Sequence, residues 1–200
     1  MYIDNAKRYG PPEGYYENTK NRPPHELLKE AIKYAKDIPD KTALDLGCGA
    51  GSDTRFLLKN GYEVTAVDGS NEAEAYIKSI PHQEKVKFIQ SEFEAFEFGD
   101  YDLVNASRSL PFTHKDKFKA VFSKLKGSLK PGGIFVGEFY GVNDQWNKSG
   151  ETMTFLNKQQ VQELLSGLEI IKLEEKEYDG TVANGKSKHW HIFNIVVRQI

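Results

Sequence analysis

The sequence contains a single cysteine, Cys48, among 200 residues. One thiol excludes an intramolecular disulfide framework and suits a reducing compartment. Also lacking is any apolar run long enough to cross a bilayer, and the first ten residues, MYIDNAKRYG, have no hydrophobic stretch of the kind a secretory leader needs. The cytoplasm is therefore the expected location. There is no excess charge of one sign: 27 Lys and Arg against 29 Asp and Glu leave a formal −2, which excludes a general electrostatic pull toward nucleic acid or an acidic membrane. No internal repeat, low-complexity tract or Pro/Gly/Ser linker divides the chain. What is present, 38% hydrophobic and 12% aromatic residues, suffices for one folded domain and leaves no room for a second of comparable size.

Pro23-Pro24 precedes apolar residues at Leu27, Leu28, Ala31, Ile32 and Ala35, a spacing that predicts a first helix. Beyond it, short apolar runs predict strands over 42–46, 62–67, 86–90, 102–106 and 134–140. Helical patterns fall over 52–59, 71–79, 115–129 and 158–165, with Pro131-Gly132-Gly133 read as the stop after the third of these. Strands alternating with helices predict a mainly parallel sheet covered on both faces. The rhythm then breaks, because 168–176 and 190–197 are both strand-like and the polar YDGTVANGKSKH between them is unsuited to a crossover helix. These two are expected to pair antiparallel at the sheet edge, the last of seven strands.

The most informative segment is LDLGCGAG, residues 44–51, where the first strand hands over to a helix. Ligands of open parallel sheets bind beyond the carboxyl ends of the strands, and glycines there permit close approach to the backbone. The next strand ends in Asp68, where a carboxylate can accept both hydroxyls of an adenosine ribose. Dinucleotide and S-adenosylmethionine sites share these features. In the dinucleotide fingerprint the third glycine falls at the sixth position, whereas here Gly51 follows Gly49 directly after one residue and Ser52 comes next. Asp45 just before the turn disfavours phosphate and suits an ammonium. An amino-acid-bearing nucleoside is the better match.

With these residues the chain resembles the class I S-adenosylmethionine-dependent methyltransferases. LDLGCGAG resembles their motif I, Asp68 their ribose ligand, SEFEAFEF (91–98) the region of their adenine contacts, DLVNASRSLPF (102–112) the loop flanking the transferred methyl, and LKPGGIFVGEFYG (129–141) the entry to their fifth strand. More narrowly, YYENTKNRPP, the SLPF stretch and KHWHIFNIVVR resemble a subgroup of small bacterial tellurite-resistance-like methyltransferases. That subgroup often has glycine at Asn21 and aspartate at Glu92. The resemblance implies a Rossmann-like, doubly wound α/β fold, with residues 1–24 as an arm or lid and 25–200 as the methyltransferase domain. It implies S-adenosylmethionine as cofactor, held by Asp45, Gly47, Cys48 (through its backbone), Gly49, Gly51, Asp68, Gly69, Ser70, Glu92, Phe93 and Asn105, with Arg22 available to clamp the methionine carboxylate.

Methyl transfer from a sulfonium needs alignment and exclusion of water more than an acid-base relay. The expected acceptor pocket is lined by Tyr16, Ser107, Leu110, Phe112, Phe139, Tyr140 and Trp146, whose rings can embrace the sulfonium through cation-π contact. The partner is a small-molecule nucleophile such as a thiol, an oxyanion like tellurite or selenite, a halide or a heterocycle, not nucleic acid or membrane. His189 and His191 share one strand face; no further Cys/His cluster completes a metal site, so they are the candidate bases if the acceptor arrives protonated, with Trp190 turned to the core. The lysines at 115, 117, 119, 124, 126 and 130 fall outside the apolar stripe of their helix and read as a solvated face. Two alternatives stay open: a nicotinamide-dependent oxidoreductase, and a non-catalytic module that binds S-adenosylmethionine.

Overall fold

The structure, a computed structural model, describes residues 13–35, 41–148, 152–182 and 185–200. One sheet runs through it: β1 (Thr42–Leu46), β2 (Glu63–Asp68), β3 (Val86–Gln90), β4 (Tyr101–Ala106), β5 (Leu129–Gly141), β6 (Phe155–Leu156), β7 (Leu168–Thr181) and β8 (Ser187–Gln199). Its order is β3-β2-β1-β4-β5-β8-β7, with the two-residue β6 added beside β5. The pairs β1–β2, β1–β4, β2–β3 and β4–β5 are parallel, and β8 runs antiparallel to both β5 and β7. This is the mainly parallel α/β sheet with a terminal hairpin that the sequence predicts. The eighth strand exceeds the expected seven because two residues carry no readable alternation.

Among the described residues, six α-helices surround the sheet: α1 (Tyr15–Thr19), α2 (Glu26–Ala31), α3 (Ser52–Lys59), α4 (Glu72–Lys78), α5 (Lys115–Gly127) and α6 (Lys158–Leu164). Their ends follow local chemistry. α3 has Asp53 in its first turn and Lys59 in its last, matching the helix dipole, and Asn157 with Gln160 forms a capping box on α6. α5 buries Phe118, Val121, Phe122 and Leu125 and ends two residues earlier than predicted. Leu129 opens β5 instead, paired with Tyr101, and the register then jumps to Leu103 opposite Ile134. Pro131-Gly132-Gly133 is thus an irregularity inside the strand, not a stop before it. A Cβ on Gly133 would lie 2.8 Å from the Lys130 carbonyl oxygen, so the detour requires glycine there.

Strand alternation sorts the core into two layers. Ala43, Ala66, Leu103, Ile134, Val136 and Val196 pack under α2, α3 and α4. Leu44, Val104, Phe135, Phe139, Phe193 and Val197 pack under α5 and α6. The first layer becomes polar toward the carboxyl ends of the strands, where Asp45, Asn105, Glu138 and Asn194 continue the same face, all buried. The register sets Asp45 beside Asn105 and Glu138 beside Asn194.

Candidate functional site

Between the carboxyl ends of β1 and β4 the strand order reverses, and the glycine turn lies there. The amides of Gly47 and Cys48 both donate to the Val67 carbonyl, at 2.8 and 2.9 Å, which ties the turn to β2. Gly47 has φ +82°, and a Cβ on it would come within 2.3 Å of Ser109 Cβ and 3.3 Å of the Phe93 ring. A Cβ on Gly49 would meet nothing within 4 Å, so the turn is open at that residue. Gly51 abuts Ile77 and Ile80 and serves the seat of α3 against α4.

Asp68 is the hub of the turn. Its carboxylate accepts from the amides of Gly49 (2.9 Å) and Ser70 (3.0 Å) and from the Tyr16 hydroxyl (3.1 Å). Glu92 reaches to the neighbouring Gly69, and burial together with Glu94 and Asp68 raises its pKa. Tyr16, expected in the acceptor pocket, lies instead on the cofactor side, buried and stacked 5.7 Å from Tyr76. The cause is the docking of α1 on α3: the Arg55 guanidinium donates to the Lys20 carbonyl and Ser52 Oγ to that of Thr19. Arg22 lines a cleft with Lys20, Arg55, Tyr76 and Pro81 on the α4 side.

Asp45 lies behind the turn, fully enclosed. Thr54 donates to one oxygen at 2.6 Å and Asn105 to the other at 2.8 Å. Asn105 also donates to Asp53 (3.1 Å) and accepts from Ser107 Oγ (2.7 Å), so its amide is committed to holding two carboxylates in place. Burial, followed by the charge of Asp53, pushes the Asp45 carboxyl up to about 7. Burial, followed by the charges of Asp45 and Asp68, holds the Cys48 thiol well above its ordinary value, which suits no nucleophile. Asp53 and Asp68 thus flank the turn with negative charge, joined by Asp45 as pH rises through 7. A phosphate would be repelled here, whereas a cationic amino acid or sulfonium would be drawn in.

The expected aromatic pocket is rearranged. Leu110 and Phe139 are core residues, because their strand and turn positions point toward α5. Phe112, Tyr140 and Trp146 do gather, with Trp190, but around the ammonium of Lys188, which lies 5.1, 4.3 and 3.5 Å from the rings of Tyr140, Trp146 and Trp190. Asp144 closes the cage with a buried 2.5 Å contact to the same ammonium. These rings therefore hold a cation of the chain itself. Trp190 is partly buried in this cluster, on the opposite face from the two histidines as its position predicts.

His189 and His191 do not face this region. The hairpin register sets them opposite the acidic face of β7, where His189 meets Asp179 (2.8 Å) and Glu177 (3.1 Å), and His191 meets Glu175 (3.1 Å) and accepts from the Asn143 amide. The two carboxylates raise the pKa of His189. Among the described residues no group of three or more His, Cys, Asp and Glu could hold a metal ion.

A groove on the other face contains residues that the motif reading did not single out. It runs between α2 and strands β5, β8 and β7, with His25, Arg108 and Glu138 on its floor. His25 caps α2, its Nδ1 accepting from the Leu27 amide, and its own amide donates to Asp53 at 2.7 Å. Glu138 Oε2 lies 3.4 Å from His25 Nε2 and 3.7 Å from Arg108 Nε, and has no hydrogen-bond partner among the described residues. Burial alone would raise its pKa, but His25 and Arg108 outweigh it and lower it. The sequence carried one signal for this residue, a lone charge inside the apolar strand IFVGEFYG.

Residues 43–133 match the family model described as a methyltransferase domain. The sterol 24-C-methyltransferase ERG6B of Gibberella zeae is 33% identical over 104 residues, 48% of this chain and 27% of that protein. An uncharacterized methyltransferase of Synechocystis is 33% identical over 112 residues, 56% of this chain and 51% of the other. The chain thus spans between about a quarter and a half of the length of these relatives. Among solved structures, TehB from Haemophilus influenzae superimposes with a TM-score of 0.75 at 18% identity, over 94% of this chain and 67% of that one, which shows a shared fold.

Proposed function

We propose that this chain, with a methyltransferase domain over residues 43–133 set in a mainly parallel sheet that ends in a hairpin, binds S-adenosylmethionine and methylates a small-molecule nucleophile. The carrying observation is the ring of carboxylates, Asp45, Asp53 and Asp68, around an open glycine turn. Asp68, with acceptor capacity beyond its three present donors, would take the ribose hydroxyls. Glu92 and Phe93 would flank the adenine, and the Asp45 and Asp53 carboxylates would balance the cationic methionine end. The bound cofactor supplies an electrophilic methyl on a sulfonium, with a neutral leaving group.

The protein's own contribution is alignment and exclusion of water. α1 covers the turn through Tyr16, whose hydroxyl reaches Asp68. The Asn105 to Arg108 segment and the groove floor receive the acceptor. Kinship with the tellurite-resistance-like subgroup, suggested by the YYENTKNRPP, SLPF and KHWHIFNIVVR segments, leaves thiols, oxyanions and heterocycles as acceptor classes.

Calorimetric titration with S-adenosylmethionine tests the reading. Saturable binding is expected, weakened about 100-fold in Asp68→Ala, the loss of one or two hydrogen bonds to a charged acceptor. The absence of any wild-type signal, or binding of NAD in its place, would overturn it. Formation of S-adenosylhomocysteine with an acceptor panel separates an enzyme from a module that only binds.

A further inference from the structure

The groove floor carries one anomaly. Glu138 is 4% exposed, yet its Oε2 has no hydrogen bond and only looser approaches from His25 and Arg108. A buried carboxylate oxygen without a donor is costly and rare, and such groups concentrate where a ligand completes the set. Its position is the relevant one. Glu138 shares the sheet face of Asp45 and Asn105, and His25 links it directly to Asp53 of the carboxylate ring.

Resting on the reading of this chain as a methyltransferase, we propose that Glu138 is the acceptor-binding and proton-accepting residue, and that the acceptor is a neutral molecule bearing O–H, N–H or S–H at the methylated atom. Three features carry this. The floor presents a carboxylate that needs a donor, which a neutral X–H supplies without setting a second negative charge against it, as an oxyanion or halide would. Three of the cations along the groove are already answered by acids: Lys29 by Glu26 at 2.6 Å, Lys172 by Glu30 at 2.7 Å and Lys176 by Glu174 at 3.0 Å. An anion entering beside these three would displace an existing pair to gain a partner. Finally, Arg108 lies just past β4 with φ +58°, a left-handed conformation unusual for a non-glycine residue and of the kind retained at functional sites.

The transfer balances without a further reactant. The acceptor's lone pair forms the X–CH₃ bond, the carbon–sulfur electron pair returns to sulfur, and the X–H proton passes to the Glu138 carboxylate and then to water through the open groove. For an O–H or S–H acceptor a carboxylate of low basicity suffices, because the oxonium or sulfonium formed with the new bond is a strong acid, while an N–H acceptor leaves as its cation and gives its proton to water. His25 acts as a positioning residue: its Nδ1 is engaged by the Leu27 amide, which turns Nε2 toward Glu138 at 3.4 Å.

The test begins with S-adenosylmethionine binding by calorimetry, then titrates the protein loaded with S-adenosylhomocysteine with phenol, benzimidazole and 2-mercaptoethanol, and separately with tellurite, selenite and iodide. At least one neutral probe is expected to bind ten-fold or more tighter than any anion. Glu138→Gln, nearly isosteric, is expected to weaken that probe at least ten-fold and slow its methylation about 100-fold, with S-adenosylmethionine affinity within two-fold of wild type. Tighter binding of an anion, no binding of any neutral probe, or an unchanged response in Glu138→Gln would overturn the proposal and leave the methyltransferase reading standing. Failure of S-adenosylmethionine to bind would remove both. The wild-type comparison decides the acceptor class even if the variant does not fold.

Discussion

At the scale of single residues, Asp45 links structure to pH. Its carboxyl titrates near 7 in the fold against 3.8 for the free side chain, because burial and Asp53 disfavour the charge. The folded state therefore holds a proton that the unfolded chain releases, and this group's contribution to stability falls as pH rises from about 4 to 7. Thermal melts of the ligand-free protein should show a shallower decline over that interval in Asp45→Asn than in wild type. Cofactor binding should respond oppositely and strengthen as pH rises through 7, since the ionised carboxylate is the form that attracts a cation; isothermal titration at pH 6 and 8 measures it. A second residue, Lys188, is held by Asp144 in a nearly dry cage. Asp144→Ala strands the ammonium and should cost about 3–5 kcal/mol in denaturant unfolding.

At the scale of elements, the regular pieces were legible because each has a local cause. The apolar runs of β1 and β3 and the Ser52–Lys59 helix fall at their predicted bounds. Gly47, Gly49 and Asp68 announced the turn, since their spacing is a backbone requirement visible in one dimension. The aromatic pocket was misread for a reason of register: Phe139 and Tyr140 are neighbours in sequence but face opposite layers, and only strand pairing decides which one faces α5. The histidines failed likewise, their partners lying across the hairpin on β7. Glu138 and His25 come from strand and helix positions more than a hundred residues apart, a juxtaposition no spacing rule encodes. An element-level prediction follows from the capping box on α6: Asn157→Ala should lower stability by about 1 kcal/mol, read as a shifted denaturation midpoint at constant m.

At the scale of the whole molecule, the near-zero charge hides a strong local division. Carboxylates cluster at the carboxyl ends of the strands, while lysines of α5 face outward on the opposite layer. A cationic ligand bridging this cluster should stabilise the entire fold by mass action. At a hundred times its dissociation constant, S-adenosylmethionine should add about 2.7 kcal/mol and raise the melting temperature by roughly 5–10 °C, whereas NAD should leave it unmoved. Differential scanning fluorimetry with both compounds distinguishes these outcomes.

The cage around Lys188 also has an optical consequence. The chain's two tryptophans are Trp146 and Trp190, and both lie against that one ammonium. Intrinsic indole emission from this protein is therefore the signal of a single corner, where the hairpin meets the end of β5. A spectral shift on adding a ligand would report strain or solvent entry at that corner, and events confined to the glycine turn would pass without changing the light.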